Sequence, residues 1–242
     1  MSDNRYARQI NCAAGFEQRK LHDSTVLIVG VGGLGCTASM TLAAAGVGSL
    51  QLCDHDTVSI SNLNRQLLYT ESDLGKGKAV VAAEKLKGLN PDTQCIPIAS
   101  RFSAQSVEEF SRPDLILDCL DNMEARKELI AYAAQQGIPL VHAAIHGFAG
   151  QFSFFIPNQT ACPFCVVSGD LDSGNAVIPS IGPCVTALAS FQAVEAVKHL
   201  SGVGETCAGK MMFFDLLTNS VETLNIETDP ACTACGKVQG GE

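Results

Sequence analysis

Residues 26–35 read Val-Leu-Ile-Val-Gly-Val-Gly-Gly-Leu-Gly, an apolar run that passes directly into a glycine-rich turn. Gly30, Gly32 and Gly35 match the G-x-G-x-x-G pattern, which binds phosphate groups where a strand ends and a helix begins. Because glycine has no side chain, a phosphate can approach the backbone, and the helix N-terminus offers free N–H groups and a positive dipole end. The stretch therefore predicts a nucleotide-binding turn; the alternative is a set of glycines that serve tight packing alone.

Apolar strands and helices alternate along the first half of the chain. Strands are predicted over residues 26–31, 50–53, 114–120 and 139–144, and helices over residues 36–45, 78–89 and 123–136. The first of these helices is rich in Ala, Met and Leu and is stopped by Gly46. This alternation predicts an α/β, Rossmann-like, doubly wound sheet that is parallel in this half.

The pattern changes after residue 147. Residues 151–156 are typical of an antiparallel strand, a loop rich in Gly, Asp, Ser and Pro runs to Pro183, and a helix is predicted over residues 185–200. Two further strands, over residues 211–216 and 221–226, flank Thr218-Asn219 and predict a hairpin. We expect a single domain over residues 1–242, with a nucleotide-binding half (1–147) and an antiparallel extension (148–242).

Composition excludes several classes of function. With 46% hydrophobic and 17% charged residues, the 242-residue chain can bury a large core. Its net charge of -9 argues against nucleic acid as a ligand, because phosphate backbones are bound through a surplus of Lys and Arg. No run approaches the about 18 apolar residues of a membrane span, and residues 1–8 are polar, unlike a signal peptide. We therefore expect a cytoplasmic protein with no membrane or nucleic-acid partner.

An acidic residue and a polar block follow the second predicted strand. Asp54 is placed to accept hydrogen bonds from ribose hydroxyls, which fits NAD as well as ATP. A dinucleotide oxidoreductase has no general need for the polar residues that come next, whereas a triphosphate needs a cation and orienting amides. Those residues are Asn62, Asn64, Arg65 and Gln66. The block therefore favours ATP.

Two more candidates for the phosphate site come later in the chain. Lys78 opens a predicted helix, although Lys76 and Lys78 could both be solvated surface lysines. Asp118 and Asp121 flank Cys119-Leu120 at the end of the third predicted strand, where a carboxylate is well placed to hold Mg²⁺ on the phosphates. The alternative role for Asp121 is the N-cap of the helix that begins near Met123.

Several short motifs occur in one order along the chain. They are Arg5-Tyr6-x-Arg8-Gln9-Ile10, the Gly-x-Gly-Gly-Leu-Gly turn, Asp54-x-Asp56, Ser61-Asn62-Leu63-x-Arg65-Gln66, Gly-x-x-Lys78, Cys119-x-Asp121-Asn122, and the pairs Cys162-x-x-Cys165 and Cys232-x-x-Cys235. Each motif is weak by itself. Together they resemble the ThiF/MoeB/HesA family, the bacterial relatives of ubiquitin-activating enzymes, over nearly the whole chain.

The resemblance implies an ATP-dependent adenylyltransferase. Such an enzyme joins AMP to the C-terminal Gly-Gly carboxylate of a ubiquitin-like sulfur-carrier protein, in thiamine or molybdopterin synthesis or a related sulfur-transfer pathway, and releases pyrophosphate. The carboxylate is itself the nucleophile, so no Ser-His or Cys-His pair is required, and none is convincingly spaced. Catalysis would rest on positioning and charge neutralisation.

The resemblance also implies roles for individual residues. Arg65, Lys78 and Asp121 would be catalytic, with Asp121 on Mg²⁺, and Arg8 would reach into the neighbouring subunit's site, which makes the enzyme a homodimer. The implied nucleotide-binding residues are Gly30, Gly32, Gly33, Gly35, Asp54, Asp56, Ser61, Asn62, Asn64, Arg65, Gln66, Lys78, Asp121 and Asn122.

The cysteine pairs resemble the family's structural zinc site. Cys162, Cys165, Cys232 and Cys235 would saturate a tetrahedral ion and leave no open position for water; the alternative is a redox pair, since C-x-x-C can cycle as a disulfide. The remaining cysteines are scattered, and Cys53 and Cys119 lie in apolar runs typical of a core.

Some members of the family that this chain resembles carry a cysteine in the loop after the first pair, where it can link covalently to the activated carrier. Residues 166–183 contain none, and Cys184 follows at the predicted helix start, where its thiolate could be activated or the side chain could simply be packed. Adenylation is therefore the firmer expectation. Two other functions stay open: an NAD-dependent oxidoreductase, and a non-catalytic module that binds a ubiquitin-like protein.

Overall fold

The computed structural model describes residues 5–108, 111–166 and 179–236, and these residues build one eight-stranded sheet with helices on both faces. The strands are β1 (Thr25–Val29), β2 (Ser49–Cys53), β3 (Gln94–Ile98), β4 (Leu115–Asp118), β5 (Leu140–His146), β6 (Ala149–Phe155), β7 (Lys210–Asp215) and β8 (Ser220–Asn225). The helices are α1 (Gln18–His22), α2 (Gly33–Ala45), α3 (Lys78–Leu89), α4 (Ala104–Glu108), α5 (Met123–Gln136) and α6 (Gly182–Ser201).

The sheet is parallel in one half and antiparallel in the other, as the sequence predicts. Its order is β3-β2-β1-β4-β5-β6-β7-β8. Strands β1 to β5 pair in parallel, and β5, β6, β7 and β8 pair antiparallel to one another. The order reverses between β1 and β4, which is the point where open α/β sheets bind ligands.

Two cores cover the two faces of the sheet. In β1, Val26 and Ile28 pack into the core under α2, α3 and α6, whereas Leu27 and Val29 pack into the core that includes α5. Because side chains alternate along a strand, a central strand covered on both faces must be apolar at every position. This requirement explains why residues 26–29 form an uninterrupted apolar run.

Strand β3 and the short helices α1 and α4 were not predicted. Pro97 interrupts the apolar pattern of β3, and proline cannot donate a ladder hydrogen bond. The strand tolerates Pro97 because β3 lies at the edge of the sheet. The strand that was expected to be the third, with Asp118 at its end, is therefore β4.

The C-terminal elements match their predicted types. Helix α6 begins at Gly182 rather than near residue 185, with Pro183 in its first turn, where the missing N–H costs nothing. β7 and β8 form the expected hairpin, and Asn219 takes the left-handed conformation (φ 59°) in its turn. Among the described residues, no helix combines the length and the apolar character that crossing a bilayer requires.

Candidate functional site

A cavity of about 670 Å³ opens at the carboxyl ends of the parallel strands, where the strand order reverses. Its volume lies in the range of small-molecule sites. Ten of the expected site residues line it: Gly30, Gly32, Gly33, Asp54, Asp56, Arg65, Gln66, Lys78, Asp121 and Asn122. The fold thus brings most of the predicted nucleotide site together in one place.

The glycine turn forms one wall of the cavity. Gly30 has a φ of 91°, and a Cβ atom there would lie 2.6 Å from the Cys119 carbonyl oxygen. Gly35 does not line the cavity, because it packs against Gly30, whose carbonyl oxygen would lie 1.9 Å from an added Cβ. The packing interpretation therefore applies to Gly35, and in part to Gly30 and to Gly33, where an added Cβ would lie 2.7 Å from Val185 Cγ1. Gly32 leaves its backbone open to the cavity at the N-terminus of α2.

Asp54 fixes the shape of this turn. One of its carboxylate oxygens accepts a hydrogen bond from the Val31 N–H (2.7 Å), and the other accepts from the Asp56 N–H (2.8 Å). Burial raises the pKa of the Asp54 carboxyl above its usual value. The side chain therefore ties the glycine turn to the end of β2 while it lines the cavity.

Lys78 is buried rather than solvated. Lys78 is only 6% exposed, and its Nζ donates a hydrogen bond to Asp56 Oδ2 at 2.9 Å. Partial burial acts to raise the pKa of the Asp56 carboxyl, but the hydrogen bond and the charge of Lys78 outweigh it, so this pKa lies below its usual value. Lys76, in contrast, is an exposed lysine, with Nζ 3.8 Å from the Asp73 carboxylate.

The polar block orients Arg65. Arg65 Nη1 donates to the Ser61 carbonyl oxygen (2.9 Å) and to Asn64 Oδ1 (3.0 Å). Asn62 Oδ1 accepts from the Ser59 N–H (3.0 Å) and so caps the 3₁₀ turn over Ile60–Asn62. Ser61, Asn62 and Asn64 do not line the cavity themselves; they act on the loop that carries Arg65.

Gln66 lies in the wall and has an unusual environment. It is buried, and its Oε1 finds no hydrogen-bond partner among the described residues. A buried polar atom without a partner is costly in a folded protein. Because Gln66 also lines the cavity, this unpaired oxygen makes the side chain a candidate to bond a polar ligand there.

The two acidic residues near the end of β4 have different surroundings. Asp118 is completely buried and bonded to Arg126 and His142, so the expectation that it stands among the carboxylates available to Mg²⁺ is wrong. Asp121 is exposed at the cavity, and no described residue bonds its carboxylate. The N-cap of α5 is Asn122, whose Oδ1 accepts from the Ala125 N–H (2.9 Å). The alternative role of Asp121 as the N-cap is therefore wrong as well.

Several residues of the wall were not foreseen. Ser100, Arg101 and Phe102 follow β3, and Ala144, Ile145, Ser180 and Val185 come from the second half of the chain. The first three could have been found only by recognising β3, because residues just beyond the carboxyl end of a parallel strand reach this edge of the sheet.

Two predicted positions lie away from the cavity. Arg8 is exposed and does not line the cavity of its own chain. Cys184 is 6% exposed in the first turn of α6 and belongs to the packed interior. This location agrees with the interpretation of Cys184 as a packed side chain. The loop between residue 166 and this helix is described only from residue 179 onward.

The four paired cysteines meet in space. Their Sγ atoms lie within 4.8 Å of one another, with separations of 3.8 Å (Cys162–Cys165), 3.6 Å (Cys162–Cys232) and 3.5 Å (Cys165–Cys235). Hydrogen bonding from Cys162 lowers the pKa of the Cys235 thiol to about 5. The fold therefore joins residues from the centre and the C-terminal part of the chain in one thiol cluster.

Comparisons with known proteins agree on one family. The chain matches the ThiF family over residues 6–234. It is 38% identical to the sulfur carrier protein ThiS adenylyltransferase of Escherichia coli (strain K12), over 96% of this chain and 94% of that protein. It is 36% identical to the molybdopterin-synthase adenylyltransferase of the same organism, over 96% of each.

Solved structures show the same fold. A crystal structure of E. coli MccB with MccA-N7isoASN superimposes with a TM-score of 0.86 at 24% sequence identity, over 96% of this chain and 75% of that one.

Proposed function

The chain belongs to the ThiF family, and we propose that it adenylates the C-terminal Gly-Gly carboxylate of a ubiquitin-like sulfur-carrier protein with ATP. One observation carries the proposal: a single cavity joins the open glycine turn, the cations Arg65 and Lys78, and the exposed carboxylate of Asp121. Two relatives named as adenylyltransferases, one for the sulfur carrier protein ThiS and one for molybdopterin synthase, are similar to this chain over almost their whole length and support it.

The nucleotide would lie against the glycine turn. The N-terminus of α2 offers free N–H groups to phosphate oxygens, and Arg65 and Lys78 supply positive charge. Asp54 and Gln66 Oε1, which has no partner within the described part of the chain, would accept hydrogen bonds from donor groups of the nucleoside. Asp56 holds Lys78 and Asn64 holds Arg65, so both cations are positioned before substrate arrives.

The reaction needs charge neutralisation more than acid–base chemistry. A carboxylate oxygen of the carrier attacks the α-phosphorus, a new P–O bond forms, and the bond from the α-phosphorus to the bridging oxygen breaks to release pyrophosphate. No proton has to be removed from the nucleophile. Arg65 and Lys78 would stabilise the negative charge that moves onto the leaving group, and preorganised charges are effective in such a step.

Asp121 fits a magnesium site. Mg²⁺ prefers hard oxygen ligands and is commonly held by one or two carboxylates together with substrate phosphates. The Asp121 carboxylate lies at the cavity without a protein partner among the described residues. A bound Mg²⁺ would supply additional positive charge on the phosphates, and Asn122 would fix the backbone beside it by capping α5.

The thiol cluster fits a structural zinc ion. Zn–S bonds of about 2.3 Å in a tetrahedron place neighbouring sulfur atoms about 3.8 Å apart, and three of the Sγ separations are 3.5 to 3.8 Å. Cys162, Cys165, Cys232 and Cys235 would fill every coordination position, so the ion would stabilise the fold rather than act on substrate.

Metal analysis tests the zinc proposal. We expect one zinc ion per chain, its loss together with a lower Tm in Cys232→Ser, and its retention in Cys207→Ser, a buried cysteine outside the cluster. A zinc-free protein in which Cys162 and Cys165 form a reversible disulfide would favour the redox interpretation instead.

The proposal includes assembly and setting. We propose a homodimer in which Arg8, exposed and outside its own chain's cavity, contributes to the site of the partner. The continuous sheet supports our view of residues 1–242 as one ThiF-type domain. We place the protein in the cytoplasm, where ATP is available and thiols stay reduced.

Carrier-dependent exchange of labelled pyrophosphate into ATP tests the activity directly. We expect exchange only when a carrier ending in Gly-Gly is present, and none when its last glycine is deleted. Thiamine-type and molybdopterin-type carriers should be compared side by side, since the preferred carrier identifies the pathway. No exchange with any carrier, together with NADH binding, would favour the oxidoreductase; carrier binding without exchange would favour a non-catalytic module.

A further inference from the structure

A buried polar cluster lies at the wall of the cavity, formed by Asp118, Arg126 and His142. Asp118 accepts a hydrogen bond from Arg126 Nε (2.8 Å) and lies 2.7 Å from His142 Nδ1, and both contacts use the same oxygen, Oδ2. Asp118 and His142 are completely inaccessible to solvent, and Arg126 is 5% exposed. Burying such groups is expensive unless each is fully bonded, so the arrangement demands a reason beyond packing.

The protonation of His142 follows from its neighbours. Burial, reinforced by the charge of Arg126, lowers the pKa of His142, so the ring is neutral. Burial acts to raise the pKa of Asp118, but Arg126 and His142 outweigh it, so the carboxyl is ionised. A neutral ring beside a carboxylate must present an N–H to it, and Nδ1 is therefore the donor. Nε2 is left as an acceptor for the Gln151 side-chain amide at 3.2 Å.

The cluster holds the backbone that leads to Asp121. Asp118 Oδ1 accepts from the Leu120 N–H (3.1 Å), and Arg126 Nη2 donates to the Leu120 carbonyl oxygen. Both polar groups of the Leu120 residue are thus bound by the buried pair. Arg126 and Leu120 line the cavity, and Asp121 is the next residue along the chain.

We propose that His142 is a positioning residue for the adenylation site: its Nδ1–H orients the Asp118–Arg126 pair, which in turn holds Leu120 and presents Asp121 to the cavity. His142 touches no atom that reacts. Gln151, from β6, donates an amide N–H to His142 Nε2, so both ring nitrogens are hydrogen-bonded. The antiparallel half thereby contributes to the accuracy of a site whose cations come from the parallel half. This inference rests on the proposed adenylation.

Kinetics of two substitutions test the inference. His142→Leu introduces an apolar side chain of similar bulk and removes the N–H donor. His142→Asn introduces an amide whose N–H lies near the position of Nδ1. We expect His142→Leu to lower kcat for pyrophosphate exchange about tenfold to a hundredfold, because small misplacements of catalytic groups have effects of this size. The KM for ATP should change much less, since Arg65 and Lys78 are untouched. His142→Asn should recover most of the loss.

A matched control separates positioning from stability. Gln51 is as buried as His142, but its amide bonds Ser111, away from the cavity. Gln51→Leu removes the bond to Ser111 and should leave kcat unchanged, whatever the change in Tm. Equal losses of kcat in the two variants would overturn the proposal, as would a His142→Leu enzyme with normal kcat, or a His142→Asn enzyme as slow as His142→Leu.

The ring tautomer gives a readout that does not depend on turnover. Carbon and nitrogen chemical shifts of His142 in the wild-type protein should report a neutral ring protonated at Nδ1. A ring protonated at Nε2, or at both nitrogens, near neutral pH would overturn the inference even if exchange is normal. A wild-type protein that shows no exchange with any carrier would instead overturn the proposed function.

Discussion

Asp118 and Asp121 lie close together at the end of β4, yet the fold gives their carboxylates opposite surroundings. Asp118 is sealed from solvent and bonded to Arg126, His142 and the Leu120 N–H. Asp121 stands at the cavity with no bond to any described residue. The two carboxylates therefore have different roles. Asp118 stabilises the interior beside the cavity, whereas Asp121 can bind a ligand in it.

Substitution of the groups that face the cavity should reduce activity with little loss of stability. We expect Asp121→Asn and Arg65→Ala each to slow pyrophosphate exchange about a thousandfold, or about 4 kcal/mol in the barrier, because each removes charge that acts on the phosphates. Their Tm values should stay close to wild type, since these groups contribute little to the packed core.

The matched control for that experiment is Arg112→Ala. Arg112 is an exposed arginine whose Nη2 bonds the Gln136 carbonyl oxygen, away from the cavity. The Arg112→Ala enzyme should catalyse pyrophosphate exchange at the wild-type rate. Near-normal exchange in Asp121→Asn or Arg65→Ala would remove that residue from the proposed site.

Substitution of the sealed carboxylate should lower the stability, unlike the substitutions above, and it should also slow exchange because Asp118 helps to hold Leu120. Asp118→Asn leaves Arg126 as a buried charge without a counterion, and breaking such a pair costs about 3 kcal/mol or more. Denaturant unfolding of Asp118→Asn and Asp121→Asn, compared at one pH, measures the difference. Equal stability of the two variants would contradict the assigned roles.

The buried histidine should make stability depend on pH. The pKa of His142 is lowered in the folded protein, so on acidification the unfolded chain binds a proton at this residue before the folded chain does. The free energy of unfolding should therefore fall as the pH drops below about 6.5, with a slope that approaches about 1.4 kcal/mol per pH unit from this residue. It should stop falling on this account once the pH passes below the folded pKa.

Denaturant unfolding between pH 7 and pH 5 measures that slope. The variant His142→Asn carries no titratable group at this position and should show a shallower fall than the wild type. His199, whose pKa burial also lowers, is present in both proteins and cancels in the difference. Identical slopes would show that residue 142 does not titrate as described.

The smallest expected effect concerns the residue next to Asp121. Asn122→Ala removes the N-cap of α5 and should lower the free energy of unfolding by about 1 kcal/mol. Exchange should fall by only a few-fold, because the Asp121 carboxylate itself remains. A much larger loss of exchange would indicate that Asn122 contacts the nucleotide rather than only capping the helix.

Much of the cavity was predictable because its residues sit at the ends of strongly patterned elements. The turn after β1, Asp54 after β2 and Lys78 at the start of α3 each follow from a local pattern of apolar periodicity and breakers. Residues at those points share one edge of a parallel sheet, so their proximity follows from the topology.

Other features could not be read from local pattern. Strand β3 was missed because Pro97 disrupts its pattern, and its tolerance depends on an edge position that only the assembled sheet defines. The burial of Asp118 depends on Arg126 from α5 and His142 from β5, which meet only in three dimensions. Nothing local distinguishes it from Asp121, so both were expected to be available to metal.

Adenylation of the carrier is measured most directly as the mass of the carrier protein after incubation with this protein, ATP and Mg²⁺, with pyrophosphatase present to remove pyrophosphate. We expect a carrier ending in Gly-Gly to gain the mass of one adenylyl group, and the Asp121→Asn enzyme to leave it unmodified. A carrier whose mass is unchanged by the wild-type protein, while ATP remains intact, would contradict adenylation of the carrier's C-terminus.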